Sequence, residues 1–129
     1  MKSILTISLV LFSMFLAQPM IAQKKPLRHV VSFKFAAEAT DAQIDALIAA
    51  FADLQNKIPE VQSFEWGINN SPEGLDKGLT HCFILTFKNE ADRDVYLPHP
   101  AHKAFIKDHG SIVADVFVID YYAREGASD

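Results

Sequence analysis

The sequence predicts an α+β domain in which a four-stranded antiparallel sheet carries its helices on one face. Four apolar segments alternate with the two-residue period of half-buried strands. Between the first and second of them, one segment repeats its apolar residues every three or four positions. A second helical region, broken by prolines, separates the third strand from the fourth. The resulting order, β-α-β-β-α-α-β, is a split βαβ arrangement.

Leu27–Phe35 opens the domain as a strand, with His29, Val31, Phe33 and Phe35 on one side and Val30, Ser32 and Lys34 on the other. Thr40-Asp41-Ala42-Gln43 has the form of a capping box. The helix behind it sets Ile44, Leu47, Ile48, Phe51, Leu54 and Ile58 on one face and stops at Pro59. Val61–Ile68 reads as the second strand, with Phe64, Trp66 and Ile68 on one side. A polar loop with several turn formers follows, from Asn69 through Gly78. The third strand, His81–Phe87, shares a face among His81, Phe83, Leu85 and Phe87. Asn89 caps a short helix over Glu90–Tyr96. A further helix is expected from Pro100 to about Ile112, and a fourth strand over Val116–Tyr122. The uncovered sheet face also carries apolar groups such as Val30, so pairing of two subunits through their sheets is expected.

Residues 1–22 read as a signal peptide. Lys2 precedes an apolar run of about 14 residues, shorter than the roughly 20 that span a bilayer, and small residues at the exit make Ala22 the preferred last residue removed, with Ala17 as the alternative. The mature part, 23–129 with its core at 27–122, is then one domain, secreted or periplasmic. Removing 22 of 129 residues leaves 107 and takes Lys2 from the basic side, so the net charge moves from −4 to −5. A mildly acidic chain without a basic cluster is a poor match for nucleic acid. One cysteine, Cys82, rules out an intrachain disulfide. No metal or other cofactor is expected: His99 and His102 have a chelating spacing, but no carboxylate completes the set at helical spacing.

Tyr96-Leu97-Pro98-His99-Pro100-Ala101-His102 carries the chemistry. It places a phenol and two imidazoles within seven residues, at a loop entering a helix. Tyr and His polarise carbonyls and move protons near neutral pH. Pro100 suits the first turn of a helix. His102 then lies in that first turn, where free N–H groups disfavour a charged imidazole.

On the strands Leu27–Phe35 and Thr80–Phe87, the Tyr96–His102 segment with Phe105 behind it, and the closing Ile119-Asp120-Tyr121-Tyr122, the chain resembles the stress-responsive A/B barrel (Dabb) family. The resemblance implies a ferredoxin-like subunit, a homodimeric α+β barrel and a cavity between sheet and helices. In the plant polyketide cyclases of this family, a Tyr and a His from the same motif drive an intramolecular aldol condensation. Carried over, His102 is the general base and Tyr96 orients the carbonyl. His29 and His81 match further histidines of the cavity, whose Phe-rich walls would be Phe33, Ile48, Phe51, Phe83 and Phe105. Phe51 and Val113 stand where the cyclases carry a polar aromatic and a larger aromatic, which implies a different substrate. The sequence therefore favours an exported homodimer that binds a small, partly apolar molecule, with a cyclase-like or lyase-like enzyme as the alternative.

Overall fold

The computed structural model describes residues 25–127. The expected signal segment and its exit at Ala22 lie outside the described residues.

Four strands, β1 (Leu27–Phe35), β2 (Ser63–Ile68), β3 (His81–Phe87) and β4 (Val113–Tyr122), form one sheet in the order β2-β3-β1-β4. Every neighbouring pair is antiparallel. The helices are α1 (Asp41–Lys57), α2 (Glu90–Tyr96) and α3 (Pro100–His109), the last continued by a 3-10 turn over Gly110–Ile112. This is the α+β arrangement that the alternation and the capping signals predict, and the ferredoxin-like subunit that the resemblance implies.

Local chemistry fixes the helix ends. The Thr40 hydroxyl accepts from the Gln43 N–H at 3.2 Å, and the Gln43 side chain accepts from the Thr40 N–H at 2.9 Å, so the capping box is complete. Thr40→Ala is expected to cost about 1 kcal/mol, lowering the melting temperature by roughly 5 °C in a domain of this size; a thermal melt followed by circular dichroism measures it. Asn89 caps α2 by accepting from the Asp92 N–H. Three boundaries differ from expectation. β2 begins at Ser63 rather than Val61, because the Val61 N–H closes a turn onto the Ile58 carbonyl at 3.1 Å. The α-helical part of α3 stops at His109, and Gly110 opens the tighter turn. β4 starts at Val113 rather than Val116, because β1 pairs with it across an irregularity at Lys34 and Phe35.

The two-residue period gives the sheet two different faces. Towards the helices it presents Leu27, His29, Val31, Phe33, Phe83, Leu85 and Phe87, all buried. Leu47, Phe51, Leu54 and Ile58 of α1 press on them, and Phe51 stacks with Phe105 of α3 at 4.7 Å between ring centroids. The helices do not reach over β4. Val116 and Val118 share the helix-side face through their pairing with Phe33 and Val31, yet they are 52 % and 48 % exposed. An opening therefore runs along the inner side of β4. Among the described residues no helix covers the other sheet face, which carries Val30, Ile84, Phe117, Ile119 and Tyr121.

Candidate active site

The opening beside β4 leads into a cavity of about 600 Å³ between sheet and helices. Its polar groups, His29, Arg93, Tyr96, His102 and Asp120, come from β1, α2, α3 and β4. Its apolar wall includes Phe33, Leu47, Phe51, Phe105, Val116 and Val118. A volume of this order suits a small organic ligand.

The break between α2 and α3 positions the first pair. His99 is the N-cap of α3, its Nδ1 accepting from the Ala101 N–H at 3.0 Å, and Pro100 occupies the first helical position. His102, one turn on, brings Nδ1 to 2.9 Å from the Leu97 carbonyl oxygen. A carbonyl only accepts, so Nδ1 carries the proton and the lone pair of the neutral ring is on Nε2. Nε2 has no protein partner and is not sealed from the cavity. Burial lowers the His102 pKa from its ordinary value; the Leu97 carbonyl opposes this in part, and His29 and His99 add to it. The expected neutral imidazole is thus present, with burial rather than the helix N-terminus as the leading cause.

Tyr96 is fully buried, and its ring centroid lies 4.3 Å from that of His102. Its hydroxyl is the one buried side-chain polar atom among the described residues without a hydrogen-bond partner. Burial holds its pKa well above the ordinary phenol value. Tyr96 therefore stays protonated and offers a donor. A buried donor left unmatched costs about 1–3 kcal/mol, so an acceptor that reaches the Tyr96 hydroxyl recovers that cost.

The second polar wall is a chain of hydrogen-bonded side chains. His29 Nδ1 lies 2.6 Å from Asp120 Oδ1, and the Arg93 guanidinium donates to the other Asp120 oxygen at 2.9 Å. Arg93 also donates twice to Asp94, at 3.0 and 3.1 Å. The partnership with Asp120 first, and that with Asp94 second, raises the Arg93 pKa further.

The structure brings together Tyr96, His102, His29, Phe33, Phe51 and Phe105 from the residues singled out in the sequence. Three others lie elsewhere. His81 pairs with Phe33 whereas His29 pairs with Leu85, four residues along the same ladder, which is about 13 Å of strand. It stacks on Trp66 and meets Phe35 edge-on, bordering a separate hollow with Cys82 and Phe117. Phe83 is fully buried behind Phe33 and Phe51, a core residue rather than a wall. Ile48 packs on the core one position past Leu47, which takes the wall position in its place. Arg93 and Asp120 are the residues that sequence reasoning passed over. Asp120 left a signal: it is the one carboxylate in the apolar run Val116–Tyr122, on the same side as Val116 and Val118.

The Stress Responsive A/B Barrel Domain family matches residues 27–123. The chain belongs to the Dabb family. Among its Dabb relatives, the stress-response A/B barrel domain-containing protein HS1 of Arabidopsis thaliana is 36 % identical over 98 residues, covering 76 % of this chain and 90 % of that one. Olivetolic acid cyclase of Cannabis sativa is 28 % identical over 99 residues, 77 % of this chain and 98 % of the cyclase. In three dimensions, the hydroxynitrile lyase of Passiflora edulis superposes with a TM-score of 0.75 at 28 % identity, over 81 % of this chain and 99 % of the lyase. Solved structures that share the Dabb fold at 22–24 % identity include proteins described as dimeric.

Proposed function

We propose that this Dabb protein is a cyclase-like or lyase-like enzyme that makes or breaks a carbon–carbon bond beside the carbonyl of an uncharged, partly apolar substrate. The buried, unpartnered Tyr96 hydroxyl beside a neutral His102 carries the reading. In the bond-forming direction, His102 Nε2 takes a proton from the carbon next to the carbonyl. The electron pair left behind becomes an enolate, whose oxygen receives the Tyr96 hydrogen bond. The enolate carbon attacks a second carbonyl of the same molecule, and the proton on His102 passes to the new alkoxide. The likeness to a cyclase and to a hydroxynitrile lyase supports this class over simple binding. The cation of the cavity, Arg93, is already matched by two carboxylates, which supports an uncharged substrate.

The test needs no natural substrate. A panel of uncharged aryl ketones is incubated in D2O, and deuterium uptake next to the carbonyl is followed by NMR, alongside cleavage of aromatic cyanohydrins. Protein-dependent exchange or cleavage that disappears in His102→Gln is the expected result. Rates equal to buffer for every compound would sink the enzyme reading and return the cavity to a binding role.

The reading takes a homodimer joined through the helix-free sheet face as the working unit. A four-stranded sheet leaves two edges free and cannot close a barrel alone, and exposed Phe117, Ile119 and Tyr121 give that face its apolar character. Ile119→Lys is expected to weaken self-association at least a hundredfold, which light scattering on a dilution series measures. Export follows from the sequence pattern of residues 1–22 and belongs to the same proposal; intact mass of the protein recovered from the expressing cells checks it.

A further inference from the structure

The remaining polar wall has a direction that the proposed reaction does not use. His29 is buried and opens on the cavity, with its ring edge-on to Tyr96 and Phe87 at 5.8 and 6.1 Å between centroids. Its Nδ1 is taken by Asp120, while Nε2 makes no hydrogen bond and is not sealed off. Asp120 is itself held from the other side by Arg93, which stands three residues before Tyr96 on α2. The three side chains come from three elements, and Arg93 and Asp120 are each only about a fifth exposed.

We infer that Arg93 is a positioning residue, which holds the Asp120 carboxylate on His29 so that His29 presents the Nε2 lone pair to a hydroxyl of the substrate. The argument is one of hydrogen-bond direction. An ionised carboxylate accepts only, so it selects the His29 form with the proton on Nδ1. Arg93 occupies the second oxygen of that carboxylate and so fixes its rotation. The ring then has an acceptor, not a donor, towards the cavity, as a histidine held by a carboxylate does elsewhere. Together with Tyr96 the site offers one donor and one further acceptor beside the base. The ligand that satisfies both is a ketone or aldehyde that also bears a hydroxyl. This deepens the proposed function by naming the substrate class, and it rests on that reading only for the reaction itself.

Two measurements on the intact protein test it without turnover. The first is the ring nitrogen spectrum of 15N-labelled protein near pH 8.5, above the ordinary histidine range. Wild-type His29 is expected to show a protonated Nδ1 and a bare Nε2. Arg93→Met is expected to give a mixture of the two forms, Asp120→Asn to favour the opposite one, and Arg93→Lys to restore the wild-type pattern. The second is affinity for two probes, benzoin and deoxybenzoin, which differ by one hydroxyl. Wild type is expected to prefer benzoin about tenfold, the worth of one hydrogen bond, and Arg93→Met to lose that preference while still binding deoxybenzoin. A His29 pattern unchanged in Arg93→Met would overturn the positioning role. Equal affinity of wild type for the two probes would overturn the substrate class. Neither result depends on whether the ketones exchange deuterium, so this inference and the enzyme reading fail separately.

Discussion

Tyr96→Phe is expected to remove most of the catalytic activity while raising the stability of the fold. The two effects have one cause. The phenol hydroxyl has no hydrogen-bond partner among the described residues, so deleting it removes a buried donor that costs free energy and leaves the ring packing against Phe87 and His102 in place. A gain of about 1 kcal/mol follows, at the low end of the penalty for an unmatched buried group. In the proposed reaction the same hydroxyl gains a partner, the oxygen on which charge develops. Loss of one such donor lowers kcat by about 10²–10³. A core tyrosine without a role predicts no change in turnover, and a hydrogen-bonded structural tyrosine predicts a loss of stability. Chemical denaturation and the deuterium-exchange rate, measured on the same preparation, separate the three cases.

His102→Gln is expected to lower the rate by about 10²–10⁴, the usual worth of a placed base, with little change in affinity for the ketone. The amide keeps a donor for the Leu97 carbonyl but has no lone pair of comparable basicity. The pH dependence follows from the same residue. Burial lowers the folded His102 pKa below the ordinary value near 6.5. The neutral form therefore predominates at and above that value, and kcat/KM is expected to fall as pH drops through the lower folded value. Stability moves the same way. Between the two values the unfolded chain binds more protons than the folded one, so His102 makes folding less favourable as pH falls below about 6.5. In His102→Gln both the acid limb of the rate and this part of the stability slope are expected to vanish. Persistence of the acid limb would assign the base to another group.

Much of the frame was legible because it rests on local chemistry. The alternation in Leu27–Phe35 assigned His29, Val31 and Phe33 to the buried face, and Thr40 with Gln43 announced the start of α1. The Pro98-His99-Pro100 break was legible for the same reason: proline and a capping side chain state their backbone demands in sequence. What stayed hidden depended on register and on layer coverage. His81 and His29 share a sheet face in any reading of the two strands. Only the antiparallel pairing of His81 with Phe33 sets it four residues from the His29 level. Arg93 looked like one more charged residue on a short helix, since its link to Asp120 spans 27 residues of chain. The inner side of β4 reads as ordinary core in sequence, and only the reach of the helices shows that Val116 and Val118 are a cavity wall.

The two cavity imidazoles are oriented by different kinds of partner, and this separates what drift can alter from what it cannot. His102 donates to the Leu97 backbone. A carbonyl is present whatever side chain occupies position 97, so no single replacement there removes the acceptor, and only a change in the course of the chain does. His29 depends on two side chains, Asp120 and Arg93, and on the reading proposed above a replacement such as Asp120→Asn or Arg93→Met alters its hydrogen-bonding direction. If His102 is the base and His29 the recognition group, as proposed, the orientation of the base is robust to mutation while the recognition group is easily retuned. A lineage built on this fold can change what it accepts without first rebuilding how it reacts.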